Sequence, residues 1–165
     1  MAMDRLRTFG RAALNECLAV SRTAPRRRTN LNVHPDLADP IQRLANLIQP
    51  GSYIRPHRHG DEKWELFVLL QGRAGVILFA DDGAIEEAIR LGPEDAWAVE
   101  IPAGRLHTAF ALETDTLLFE VKAGPYRPLA DEDFAAWAPA EGDEAVPATL
   151  ERWRKVVEGQ NEAGC

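Results

Sequence analysis

Apolar residues recur at helical spacing through residues 4–20, with Leu6, Phe9, Ala13, Leu14, Cys17 and Leu18 near one face, which predicts an amphipathic N-terminal helix. Pro25 and the run Arg26-Arg27-Arg28 close this segment. From residue 29 to about 127 the helical period disappears, and short apolar runs alternate with turn signals. These runs predict strands at 44–49, 54–59, 65–70, 74–79, 84–91, 96–101, 108–111 and 116–122. Pro50-Gly51, Ala80-Asp81-Asp82-Gly83 and Pro102-Ala103-Gly104 supply the turns. After Pro128 the pattern fades, until residues 149–158 read as a short terminal helix. Short strands with regular turns predict an all-β core, a sandwich or small barrel of antiparallel sheet with short N- and C-terminal helices.

One strand adds a second expectation. Between Trp64 and Leu70 both alternating faces are apolar apart from Glu65. The face of Glu65, Phe67 and Leu69 can point into the core, so that of Trp64, Leu66, Val68 and Leu70 needs its own cover. Terminal helices or a second subunit would provide it, and a homodimer is the expected assembly.

Composition narrows the class. The chain has 165 residues, and its 45% hydrophobic and 27% charged content is that of an ordinary globular domain rather than a disordered one. No apolar run approaches the roughly 18 residues of a membrane-spanning helix. Asp4, Asn15 and Glu16 interrupt any signal-peptide-like stretch, and Cys17 and Cys165 form no disulfide or metal-binding pattern, so the expected location is the cytoplasm with no membrane partner. A net charge of −7 argues against nucleic acid as a partner. The charge is uneven, with seven arginines in residues 1–28 and an acidic tail from Asp131. The ends are therefore expected to attract each other, or the arginine run to meet an anion or lie in solvent. The resulting organisation is a helix and basic linker at 1–28, a barrel at 29–130, and a tail with a short helix at 131–165.

Three of the four histidines carry the candidate chemistry. His57 and His59 stand two apart in an extended segment, so their rings share a face about 7 Å apart along the chain. Arg58 points the other way. Glu65 begins the next strand and can fold onto the same face, and His107 follows the Pro102-Ala103-Gly104 turn. Three imidazoles and a carboxylate meeting among apolar strands predict a site for one divalent transition metal, Zn, Fe, Mn or Ni. A buried carboxylate needs a cation or a proton. In six-coordinate geometry the set leaves two positions open, and its residual positive charge favours an anionic or bidentate oxygen substrate.

The order Gly51, five residues, His57-x-His59, Glu65, Gly72 is similar to the first cupin motif, and Pro102-x-Gly104-x-x-His107 resembles the core of the second. The runs RTNLNVH, PGSYIRPHRH, KWELFVLLQGRAGVILFADDG, VEIPAGRLH and FEVKAGPY resemble the WbuC family of cupin-fold metalloproteins, found among bacterial surface-polysaccharide genes. The likeness spans roughly residues 26–140. It implies a double-stranded β-helix, a jelly-roll-like barrel with the metal at its centre, and it implies no particular reaction. Two departures stand out: five residues separate His59 from Glu65, and Ala111 replaces a customary asparagine. Glu62 is nearer His59 but falls in the loop, while Glu65 keeps the six-residue interval to Gly72.

Alternation nominates further residues. Glu120 and Lys122 share a face of the last strand, as acid/base or anchoring groups if that face points inward, or as a rim ion pair. Tyr126 either closes the pocket or packs. Asn32 and His34, with Asn30, line the substrate mouth or brace a loop through side-chain hydrogen bonds. Arg55 alternates with His57 and is placed to bind an anion. The preferred reading is a metal-dependent enzyme acting on a small molecule, a sugar or sugar-acid derivative, by isomerase- or epimerase-like chemistry. Its rivals are an iron-dependent dioxygenase and a non-catalytic module that binds carbohydrate or anions through the metal.

Overall fold

The computed structural model describes residues 6–159. Helix α1 (Arg11–Thr23) is followed by strands β1 (Arg28–Asn32), β2 (Ile41–Ile48), β3 (Glu65–Gln71), β4 (Ala74–Phe79), β5 (Ile85–Leu91), β6 (Ala98–Ile101), β7 (Leu106–Ala111) and β8 (Thr116–Ala123). A one-turn 3-10 helix (Asp131–Asp133) precedes helix α2 (Val146–Gly159). The strands form two antiparallel sheets, in the orders β1-β2-β8-β3-β6 and β5-β4-β7. The fold is a jelly-roll-like pair of facing sheets rather than a closed barrel.

The principal core lies between the sheets. Ile48, Phe67, Ile101 and Leu118 from the larger sheet meet Ala74, Val76, Leu91 and Ala109 from the smaller. Each outer face has a helix. Leu14, Cys17 and Leu18 of α1 pack on Ala45, Leu47, Leu117 and Phe119 behind the larger sheet. Trp153 and Val157 of α2 are buried against Ile77, Phe79 and Phe110 behind the smaller one, with the Trp153 ring stacked 5.6 Å from Tyr53. Helix α1 covers the β1–β2–β8 side of its sheet. Near the other edge Leu70 and Trp97 are 57% and 71% exposed.

Three local expectations change. Helix α1 starts at Arg11, after Gly10, so Leu6 and Phe9 lie outside it and are exposed; residues 4 and 5 lie outside the described residues. Segment 54–59 is extended but is no strand, because Pro56 has no N–H to give a ladder and only His57 bridges its neighbours. Residues 28–32, whose alternating polar side chains resemble a loop, form the edge strand β1 against β2. The ends of the chain do attract each other, since Arg26 and Arg28 both pair with Glu141, at 2.5 and 2.6 Å. Among the described residues, no helix is long and apolar enough to cross a membrane, and Cys17 is a free thiol, Cys165 lying outside them.

Candidate metal centre

Pairing brings the four metal-site candidates together. His57 and His107 exchange both backbone hydrogen bonds, N–H to O at 3.1 and 2.9 Å, so the segment before β3 is stitched to the start of β7. Their ring centroids lie 4.6 Å apart, and that of His59 lies 5.0 Å from His57. Arg58 between them turns outward to pair with Asp81. Glu65 opens β3 on the facing sheet, almost fully buried at 2% exposure. One potential ligand atom from each of His57, His59, Glu65 and His107 lies within 4.8 Å of all the others. Glu62, the alternative carboxylate, is exposed.

The tautomers follow from hydrogen bonding. Nδ1 of His57 and Nδ1 of His107 lie 3.0 and 2.9 Å from the carbonyl oxygens of Arg55 and Arg105. A carbonyl only accepts, so each Nδ1 carries a proton, and in the neutral ring the lone pair is on Nε2. Nε2 of His59 and of His107 lie 2.9 and 2.8 Å from the two Glu65 oxygens. Both nitrogens are buried, yet neither is aligned to hydrogen-bond there. Burial, reinforced by the adjacent His107, pushes His57 down to about 3 and keeps its ring neutral. Three imidazoles, one of them the neutral His57 ring, beside a buried carboxylate are the donor set a divalent transition ion takes, so the residues fit such an ion.

A second charged pair adjoins this cluster. On neighbouring strands Glu65 faces Lys122, and Phe67 faces Glu120. Lys122 Nζ lies 3.1 Å from Glu65 Oε1 and 2.6 Å from Glu120 Oε1, while Asn46 donates to Glu120 Oε2 at 2.5 Å. Burial alone would raise Glu65; the adjacent imidazoles of His107 and His59, with the Lys122 charge, hold it well below the usual carboxylate range. Glu120 goes the other way, because burial and the charge of Glu65 outweigh the help of Lys122. Burial works against the Lys122 ammonium, but the two carboxylates overcome it and hold the charge in place.

His57, Glu65 and His107 lie along the wall of a cavity of about 520 Å³, with Glu120 and Lys122 beside them. Asn32, His34 and Tyr126, expected near a substrate mouth, also line it. His34 is buried, and its Nε2 has no hydrogen-bond partner among the described residues. Arg55 is a correction: it does not line the cavity, because its guanidinium donates to the Ala135 carbonyl at 2.8 Å and sits 5.5 Å over the Phe134 ring. The tail residues Phe134 and Ala135, packed against this segment, hold the side chain there. Arg26 and Arg28, from the run expected to pair with the tail, meet an anion or lie in solvent, also line the cavity, as do Gln42 and Asn46, which were not anticipated. For Gln42 and Asn46 the signal was available, as amides alternating with Leu44 and Ile48 within β2.

A smaller cavity of about 300 Å³ adjoins the first. It shares Gln42, His57, Lys122 and Tyr126 with the first, and adds His59, Lys63 and Arg127.

Residues 9–91 match the model of a family described as a domain of unknown function (DUF6016). No curated protein matches the chain. Among solved structures it is similar in fold to the salicylate 1,2-dioxygenase of Pseudoaminobacter salicylatoxidans, at TM-score 0.55 and 14% identity over 71% of this chain and 33% of that one. KdgF from Halomonas sp. aligns at TM-score 0.48 and 26% identity, over 61% of this chain and 80% of that one. A cupin superfamily protein from Desulfitobacterium hafniense DCB-2 aligns at TM-score 0.45 and 20% identity, over 58% and 76% respectively.

Proposed function

The chain belongs to the family described as a domain of unknown function (DUF6016), and from its own side chains we propose a metal-dependent enzyme acting on a small anionic sugar or sugar acid in an isomerase- or epimerase-like reaction. The observation that carries this reading is the convergence of His57, His59, Glu65 and His107 beside a cavity that also exposes a buried Lys122–Glu120 pair. A divalent ion held by those four residues would supply Lewis-acid polarisation of a substrate carbonyl or hydroxyl oxygen. Glu120, whose buried carboxyl is easily protonated, suits removal and return of a proton at a substrate carbon. The Lys122 ammonium keeps Glu120 oriented and presents a donor to a substrate oxygen. The Tyr126 hydroxyl, on a half-exposed side chain at the rim, suits closure over bound substrate. His34 Nε2 and Asn32 suit hydrogen bonds to hydroxyl groups at the far end.

The sequence likeness to the WbuC family of bacterial polysaccharide gene clusters supports a carbohydrate-derived substrate. The exposed Leu70 and Trp97 support association into a homodimer through the uncovered part of the larger sheet. An iron-dependent dioxygenase is the second reading, favoured by the ligand set itself, since three imidazoles and a carboxylate leave open positions on iron.

The test is elemental analysis of freshly purified protein, followed by turnover assays on a panel of sugar acids. About one transition-metal ion per chain is expected, and the His57→Ala/His59→Ala variant should lose both the ion and turnover while its circular dichroism stays that of a folded protein. Stoichiometric metal in that variant refutes the centre. Oxygen uptake by the iron-loaded protein in place of isomerisation favours the dioxygenase. Saturable binding without turnover favours a binding module.

A further inference from the structure

The candidate centre is open to two cavities, and they differ in charge. In the larger one, Arg26 and Arg28 are already paired with Glu141. In the smaller one the lining holds Lys63, Lys122 and Arg127 and no carboxylate residue. Among the described residues, Lys63 Nζ donates only to a carbonyl, that of Pro125 at 2.7 Å. Arg127 has no hydrogen-bond or ion-pair partner among the described residues. The wall carrying Arg127 is fixed by backbone bonds, Gly124 N–H to Pro40 O at 2.7 Å and Tyr126 N–H to Leu37 O at 2.8 Å. Lys122 is already engaged by Glu65 and Glu120, which leaves Lys63 and Arg127 as cations without a carboxylate partner among the described residues; such guanidinium and ammonium groups in a concave site attract and hold an oxyanion.

We propose that the smaller cavity is an oxyanion subsite, taking a carboxylate or phosphate group of the substrate between Lys63, Arg127 and Lys122 while the reacting part faces the His/Glu cluster. This inference rests on the reading of that cluster as the reaction site. The shared wall of Gln42, His57, Lys122 and Tyr126 lets one molecule touch both spaces. The substrate class is therefore an acid with its anionic group a few bonds from the reacting carbon, such as an aldonic or uronic acid or a sugar phosphate.

The experiment uses the full-length protein stripped of metal with EDTA, titrated calorimetrically with inorganic phosphate and separately with malonate at constant ionic strength. Saturable binding is expected, weakened about tenfold by Arg127→Gln and again by Lys63→Met. Arg152→Gln, on an exposed residue of α2 lining neither cavity, removes the same charge and should leave affinity unchanged. Phosphate binding alone supports the subsite with phosphate esters as its class, malonate binding alone supports it with carboxylates, and binding of both supports the shared chemistry. Absence of saturable binding, or equal weakening by Arg127→Gln and Arg152→Gln, overturns the proposal. Because the protein is metal-free throughout, anion binding alongside a failed metal assay sinks only the reading of the centre.

Discussion

Glu65 on β3 and Lys122 on β8 are direct cross-strand partners, and the ammonium stands 3.1 Å from a carboxylate with 2% exposure. The same ammonium serves Glu120, so one cation neutralises two buried anions. Removing it leaves both carboxylates without a counter-charge. Lys122→Met is expected to destabilise the metal-free protein by about 3–5 kcal/mol. A divalent ion can replace part of the lost charge, so its addition should raise the melting temperature more in the variant than in the parent. Equal shifts in both would show that the ion does not sit against Glu65.

Acid should weaken the metal-free fold before most carboxylates titrate. His57 has an unfolded value of 6.5 and a folded value of about 3. Below pH 6.5 the unfolded chain takes up a proton that the folded chain refuses, so stability falls as pH drops and the loss levels off near the folded value. Glu65, held below its usual range, adds a loss in the same direction beneath pH 4.5. Each unit of displacement is worth about 1.4 kcal/mol, so chemical denaturation between pH 7 and 4 should show a steep decline. His57→Gln should flatten it.

Gly72, the glycine after β3, has a φ of +78°, and an added Cβ would lie 2.7 Å from Thr116 Oγ1 and 3.0 Å from Thr116 Cα. The Thr116 hydroxyl is fully buried among the carbonyls of Arg73 and Glu113 and has no room to move. Gly72→Ala is expected to cost about 2–3 kcal/mol in urea denaturation. A cost near zero would mean that the β3–β4 turn adjusts freely.

Leu70 lies on the part of the larger sheet that α1 does not cover, with Trp97 exposed near the same edge. Light scattering at micromolar concentration is expected to return twice the chain mass of 18.3 kDa, and Leu70→Glu to return the single mass. A monomeric mass for the parent protein removes the dimer.

Legibility in the sequence followed the side chains' surroundings. Strand β4 coincides with its apolar run at 74–79, because both its faces are buried against core, helix and tail. Strand β1 was hidden because Asn30 and Asn32 face the cavity, and polar side chains lining a cavity read like a solvent face. The same ambiguity concealed Gln42 and Asn46. His57, His59, Glu65 and His107 were visible because imidazoles at a spacing of two, followed by a carboxylate within an apolar run, have few other uses. Arg55 was misjudged because alternation assumes a regular strand, and Pro56 ends that regularity one residue before the first histidine. The smaller cavity depends on residues 123–134, where no periodicity announces structure.

The tail is the least conspicuous part of the centre's scaffold. Asp133 accepts the Arg58 N–H at 2.9 Å and Ala135 donates to Pro56 at 2.9 Å, clasping the stretch between them from the edge opposite β7. Ion occupancy and tail docking are then two halves of one equilibrium. Loading the protein should slow amide exchange and protease cutting around residues 131–138, and trimming the chain before Asp131 should speed escape of the ion, although no tail residue is one of its four candidate ligands.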